Sequence, residues 1–313
     1  MTAIRIEGLQ KFYGSVHALD GLTLTVEENT IFGFLGPNGA GKTTTIRLLT
    51  GLARPSGGQA WVAGEALGGS RKVSRIIGYL PEEPAFYTWM TPLEYLDHVG
   101  RLFGLSASDR KQRAAELLEL AGLNGVKKRR IAGFSRGMRQ RLGMAQALVN
   151  RPEVLFLDEP VSALDPIGRK EVLELIERLR GQCTIFMSTH ILSDVERVCD
   201  TVGIINQGKL VVEANQHELL ERYTLPAFEL QVEDGQEAAL AQWAAGLPSL
   251  GWAKSAVAEG SLLRIIVNDV HTARRALLEA ALQSGLDLRR YEIVTPSLED
   301  VFLRLVNGEE VKQ

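Results

Sequence analysis

The stretch Gly36-Pro37-Asn38-Gly39-Ala40-Gly41-Lys42-Thr43-Thr44 carries the densest chemistry in the chain. It lies between an apolar run, 31–35, and a run with helical character, 45–51, so it reads as strand, glycine loop and helix. In that context the G-x-x-x-x-G-K-[ST] spacing is a mechanism rather than a pattern. Backbone N–H groups of the loop and the helix N-terminus converge on a small volume that favours anionic oxygens, and a nucleotide phosphate is the natural guest. Gly36, Gly39 and Gly41 supply conformations and close approach that a Cβ would block. Lys42 is placed to reach the β and γ phosphates, and the Thr43 hydroxyl to sit on Mg²⁺. Without the flanking strand and helix, the same residues would be a glycine turn before an ordinary helix.

A second source of chemistry is Asp158-Glu159, two carboxylates that follow the apolar strand 154–157. Beside a phosphate loop, such a pair suits a metal and an attacking water, with Asp158 in the metal shell and Glu159 polarising the water. His190 follows a further strand, 183–187, on the side where open α/β sheets bind ligands, and could touch the γ-phosphate. Taken singly, a histidine there is as readily structural. Ser135 and Gly137 precede a helix expected over 139–149 and offer a second anion site, a weak signal because any capped helix presents one. Tyr13 or Phe12 could stack on a base or belong to the core. The run Lys127-Lys128-Arg129-Arg130 suits a solvated basic face, or a contact with phosphate or an acidic partner.

These residues need a scaffold, and the chain supplies one. Its 313 residues suggest one large and one small domain, and 45% hydrophobic with 23% charged residues is an ordinary globular balance. A net charge of −3 gives no electrostatic footprint for DNA or RNA. Cys183 and Cys199, both in apolar or helical surroundings, suggest buried small hydrophobes rather than a disulfide framework. No apolar run approaches the roughly 18 residues needed to cross a bilayer. A cytoplasmic protein is therefore expected, with any membrane role arising through a partner. In chain order, strands are expected at 3–9 and 18–26 around a turn at 11–14, forming an antiparallel layer ahead of the loop, and again at 59–63 and 75–80. A helical insertion runs from about 83 to 148, opened by Thr91-Pro92-Leu93-Glu94. A helix at 167–180 follows the turn at 162–166.

Assembled, the chain from Ile4 to about Leu220 resembles the ATP-binding-cassette (ABC) subunits of membrane transporters. In that resemblance Tyr13 matches the aromatic loop, 36–44 the Walker A loop, and Glu82 the Q-loop position. Ser135 to Met138 match the signature, Leu155 to Glu159 the Walker B strand, Ser162 to Asp165 the D-loop, and His190 the switch histidine. Two departures stand out. A metal-facing Gln is replaced by Glu82, and the usual Leu-Ser-Gly-Gly-Gln is Phe134-Ser135-Arg136-Gly137-Met138, which retains Ser135 and Gly137. The resemblance implies an α/β P-loop NTPase cassette with a mixed β core, an antiparallel β layer and the helical insertion. It also implies ATP and Mg²⁺ as ligands, ATP hydrolysis, and a homodimer in which two cassettes sandwich two ATP head to tail, each signature acting on the other copy's nucleotide. A polytopic membrane permease is the implied partner, moved through the helical insertion, with the protein peripheral on the inner face of the membrane.

The texture changes after the cassette, so the expected domains are 1–222 and 223–313. Strands at 228–232, 262–267 and 289–294 with helices at 236–246 and 270–284 make a small α+β domain. Its end, 296–303, resembles the tail of cassette subunits serving drug- and polysaccharide-type exporters, the alternative being a generic dimerisation or capping module. The function implied is the ATPase motor of an exporter. A cassette ATPase acting on ribosomes or DNA is the alternative, but such relatives carry paired cassettes or a coiled-coil insertion, and this chain has neither.

Overall fold

Alternating apolar residues set the first layer. In β1 (Thr2–Tyr13) Ile4, Ile6 and Leu9 are buried, and in β2 (Val16–Glu27) Leu22, Leu24 and Val26 face the same core. The pair is antiparallel and, with register shifts along its length, continues to Tyr13↔Val16, so the expected turn at 11–14 is strand almost to its end. Phe12 and Tyr13 are good strand formers, and the reversal falls instead on Gly14, whose φ of +59° suits a tight hairpin. The structure is a computed structural model, describing residues 1–68, 72–216, 218 and 227–294, and it divides into two units, Met1–Gln216 and His217–Gln313.

The first unit continues with β3 (Ile31–Leu35), α1 (Lys42–Leu49), β4 (Gly57–Val62), β5 (Glu65–Ala66), α2 (Val73–Ile76) and β6 (Ile77–Leu80). Arg75 and Ile76, expected in a strand, close the short α2 instead. The helical segment holds α3 (Pro92–Leu102), α4 (Ala107–Leu120) and α5 (Arg136–Ala147). Thr91 and Glu94 cap α3 reciprocally, with Pro92 in the first turn, so local chemistry fixes where that helix starts. The helix α5 begins three residues earlier than expected, because the Ser135 side chain accepts from Met138 N–H and caps it. Then come β7 (Val154–Asp158), α6 (Pro166–Arg178), β8 (Thr184–Thr189), α7 (Leu192–Val198), β9 (Thr201–Asn206) and β10 (Lys209–Asn215).

Two sheets result. An antiparallel sheet runs β2-β1-β4-β5, and a six-stranded sheet runs β10-β9-β3-β8-β7-β6, parallel except for β10 at its edge. Every residue of β3, β7 and β8 is buried, as expected for parallel strands covered on both faces. Phe32, Phe34, Phe156 and Phe186 pack together at the centre, with Phe186 ring centroids 5.3, 5.1 and 5.8 Å from the other three. Burying aromatics of this size contributes about 1.5–3 kcal/mol each and fixes β3, β7 and β8 side by side. Their carboxyl ends, at Leu35, Asp158 and Thr189, therefore emerge along one edge.

The second unit has β11 (Ala227–Val232), α8 (Glu237–Gly246), β12 (Ala253–Glu259), β13 (Leu262–Val267), α9 (Val270–Ser284) and β14 (Leu288–Val294), in an antiparallel sheet ordered β12-β13-β11-β14. The strand β12 had no clear signal in its small residues; it forms because Gly260, at φ +59°, turns it onto β13. Phe228, Leu230, Leu240, Leu263, Ile265 and Leu277 give this unit its own core. The 296–303 resemblance lies outside the described residues. No helix among those described is long and apolar enough to cross a membrane.

Cys183 and Cys199 are buried and unpaired, and burial pushes the Cys183 thiol up to about 11 and Cys199 higher still. Burial thus keeps the Cys183 thiol protonated, and the thiolate is the reactive form. Native protein should therefore be inert to a disulfide-exchange reagent for minutes, with both thiols released on denaturation; rapid titration of either in the native state would contradict this packing.

Candidate functional site

The loop after β3 is shaped by its glycines. A Cβ on Gly36 would stand 2.3 Å from the Ile205 carbonyl oxygen, and one on Gly41 2.6 Å from that of Ala18, so both positions exclude any side chain. Gly39 has open space around it but a φ of +82°. Asn38 and Gly39 are exposed, Pro37 is half-buried, and Ala40 is buried. The loop delivers α1 with Lys42 as its first residue, Thr43 and Thr44 following half-buried. Lys42 is only 6% exposed; its Nζ donates to the Gly36 and Pro37 carbonyls at 2.7 and 3.2 Å and lies 3.3 Å from Glu159 Oε1.

The end of β7 supplies the carboxylates. Asp158 Oδ1 accepts from Thr43 Oγ1 at 3.1 Å and from Ser188 Oγ at 2.7 Å. Burial pushes the Asp158 carboxyl above the usual carboxylate range, against these two hydrogen bonds, and the charges of Glu159 and Glu82 push it further. Glu159 sits at φ +47°, a left-handed conformation that costs a non-glycine residue of order 1 kcal/mol or more, held by its N–H donating to the Ser188 carbonyl and hydroxyl, both at 3.1 Å. That backbone turn brings Oε2 to 2.9 Å from Nδ1 of His190, which is exposed just beyond β8. One carboxylate thus bridges Lys42 and His190.

The other expected residues lie at the margins. Glu82 is exposed after β6 and accepts from Ser162 Oγ at 3.2 Å. Tyr13 is 48% exposed, not a core residue, with the Lys11 ammonium 4.7 Å from its ring centroid, while Phe12 packs on His17. Ser135 and Gly137 line a separate pocket of about 330 Å³ with Leu164, Asp165 and Gly168, and no residue of the 36–44 loop lines it. No group of three or more His, Cys, Asp or Glu side chains forms a metal cluster among the described residues. An Asp158–Thr43 oxygen pair nevertheless suits Mg²⁺, which takes one or two protein ligands and completes its shell with water and phosphate.

Residues 19–162 match the family described as ABC transporter, and 215–306 match the ATP-binding protein DrrA1-3-like C-terminal domain. The ABC transporter ATP-binding protein YxlF of Bacillus subtilis is 41% identical over 97% of this chain and 100% of its own length. This chain belongs to the ABC transporter ATP-binding proteins. The bacitracin transport ATP-binding protein BcrA of Bacillus licheniformis is 38% identical over 98% of each chain. A solved ATP-binding subunit of an ABC transporter superposes with a TM-score of 0.64, at 29% identity over 71% of this chain and 93% of that one. The protein is an ABC ATPase, with a nucleotide site and the P-loop NTPase fold.

Two contacts of this ABC ATPase were missed in the sequence: Ser188, which braces both Asp158 and Glu159, and the Lys42–Glu159 ion pair. Hydroxyls at 188 and 189 just before His190 were the available signal, but only strand pairing of β7 with β8 reveals which carboxylate they meet. Because both donors to Asp158 go to Oδ1, Asp158→Asn keeps an acceptor for them and exchanges the charged second oxygen for a neutral NH2. A raised carboxyl favours folding when protonated and loses that contribution as pH rises through it. The variant should therefore melt higher than wild type at pH 7 without nucleotide, the difference shrinking as pH falls into the carboxylate range; a lower melting point at pH 7 would refute this.

Proposed function

We propose that this ABC ATPase is the motor of an exporter, driven by two copies of the chain closing on two ATP molecules, and that Glu159 is the general base. The observation that carries the reading is the Glu159 carboxylate, 7% exposed and held between Lys42 and His190 at 3.3 and 2.9 Å. Phosphate oxygens compete with Glu159 and the loop carbonyls for the Lys42 ammonium, so ATP binding releases the carboxylate to take a proton from water as the water attacks the γ-phosphorus, the bond to the β–γ bridging oxygen breaks and ADP leaves. His190 steadies Glu159 and the γ-phosphate. Thr43 and Asp158 would hold Mg²⁺, with Glu82 alongside; when bound, the ion neutralises charge on the β and γ phosphates. Tyr13, exposed at its hairpin tip, offers a ring face to the adenine.

The case for two copies is the separation of the two halves of the chemistry. Ser135 and Gly137 share their pocket with the 163–168 turn and not with the phosphate loop, so they suit the nucleotide of a second subunit. A permease partner finds its support on the helical segment, where Tyr87, Trp89, Leu102 and Phe103 are exposed beside a groove of about 500 Å³ lined by Phe86, Tyr95 and His98. That contact would hold the chain on the inner face of the membrane, and the bacitracin-transport relative supports a transport role. The domain from about 223 onward, with its own core, suits a clamp between subunits when nucleotide contacts are lost.

Glu159→Gln should keep nucleotide affinity while steady-state hydrolysis falls at least about 100-fold, roughly 2.7 kcal/mol. Turnover within about threefold of wild type would remove Glu159 as the base. In that hydrolysis-deficient background, Ser135→Arg should leave nucleotide titrations of the isolated subunit nearly unchanged and abolish the ATP-dependent dimer seen by sizing; an undiminished dimer would sink the two-copy arrangement.

A further inference from the structure

Arg169 and Asp194 form an ion pair that the ATPase chemistry leaves unused. Asp194 is fully buried and, among the described residues, shares that class with only two other carboxylates, Asp158 and Glu159. Arg169 Nε donates to its Oδ1 at 2.7 Å, Nη2 lies 2.6 Å from the same oxygen, and Nη2 also donates to Ser193 Oγ at 2.8 Å. Asp194 Oδ2 is buried with no hydrogen-bond partner. Burial holds this carboxyl above the usual carboxylate range, with Arg169 pulling it back.

As a device for stability this pair is poor. A buried ion pair seldom outdoes apolar packing of the same volume, and an unsatisfied carboxylate oxygen adds its own desolvation cost. Its placement is more informative. Arg169 lies in the first turn of α6, where its N–H donates to the Asp165 carbonyl at 2.9 Å, so it is rigidly tied to the 162–165 turn that borders the Ser135 pocket. Asp194 lies in the first turn of α7, four residues beyond His190. That helix has seven residues and no side-chain cap at Ile191, so its own chemistry fixes its start weakly. The guanidinium fork supplies what the cap does not, anchoring the segment that carries His190 to the helix that carries the turn.

We propose that Arg169 and Asp194 are positioning residues, a latch that holds His190 on Glu159 and ties that contact to the 162–165 turn facing the second subunit. The latch rests on the roles given above to Glu159 and His190. Among the described residues its hydrogen bonds go to Ser193 and Asp165 and not to the 36–44 loop, so breaking it should slow turnover without weakening ATP binding.

The test uses full-length Arg169→Met, Asp194→Asn, the double variant and His190→Ala, with kcat, KM for ATP and the thermal midpoint measured on each. Arg169→Met and Asp194→Asn should each lose at least about tenfold in kcat with KM within about threefold, because displacing a reacting group slightly is costly while the phosphate cradle is intact. The double variant removes charge and counter-charge together, so its thermal midpoint should return towards wild type while kcat stays low. If Arg169→Met does not fold, Asp194→Asn and the double variant carry the same comparison. Recovery of kcat along with the midpoint in the double variant would make the bridge merely structural and overturn the latch. Single variants within twofold of wild type, alongside a slow His190→Ala, would overturn the latch alone. A His190→Ala enzyme at wild-type rate would overturn both the latch and the role assigned to His190.

Discussion

Buried charge at the ends of parallel strands is the constraint on which the rest of this molecule depends. Lys42, Asp158 and Glu159 are all buried, in a region where an isolated charge would cost several kcal/mol. Each is tolerable only because it has a partner: Lys42 against Glu159, Asp158 against the hydroxyls of Thr43 and Ser188. Those partners come from the start of α1, delivered by β3, and from the ends of β7 and β8, strands far apart in sequence, so the site exists only if the phenylalanine core sets the three strands in their order. The apolar packing and the polar site are thus one problem, solved by one sheet.

Backbone conformation is the second half of that solution. Gly41 at φ +111° and Glu159 at φ +47° lie on two loops that converge on the Lys42 side chain. Glycine takes its conformation freely, but glutamate does not, and the two bonds from Glu159 N–H to Ser188 offset the strain. A strained residue braced at the edge of a rigid sheet arrives with little freedom left to lose, which is the preorganisation that a general base needs.

The chemistry is also divided in space. Lys42, Asp158, Glu159 and His190 gather around the phosphate loop, whereas Ser135 and Gly137 open onto a pocket bordered by the 163–168 turn. These are two surfaces rather than one site. Ser162, which donates to Glu82, and Arg169, which holds Asp194, both belong to the segment between them. In the proposed latch, that segment joins the two surfaces.

What the sequence determined by itself is what local chemistry decides. The glycine spacing before Lys42 specified the strand, loop and helix; the Thr91-Pro92 start specified α3; the apolar run into Asp158-Glu159 specified a buried strand ending in carboxylates. These signals act within a few residues and need no partner. Where local preference was ambiguous the sequence misled or was silent: Phe12 and Tyr13 stayed in strand because β2 pairs with them, and β12 formed because β13 lies beside it. Tertiary structure alone decided that Ser188 would brace Asp158 and Glu159, that Lys42 would meet Glu159 across more than a hundred residues, and that Arg169 would reach Asp194. The physical reason is the same in each case: a buried polar group must find a partner, and which partner stands within reach is set by strand order and helix packing, which no local spacing encodes.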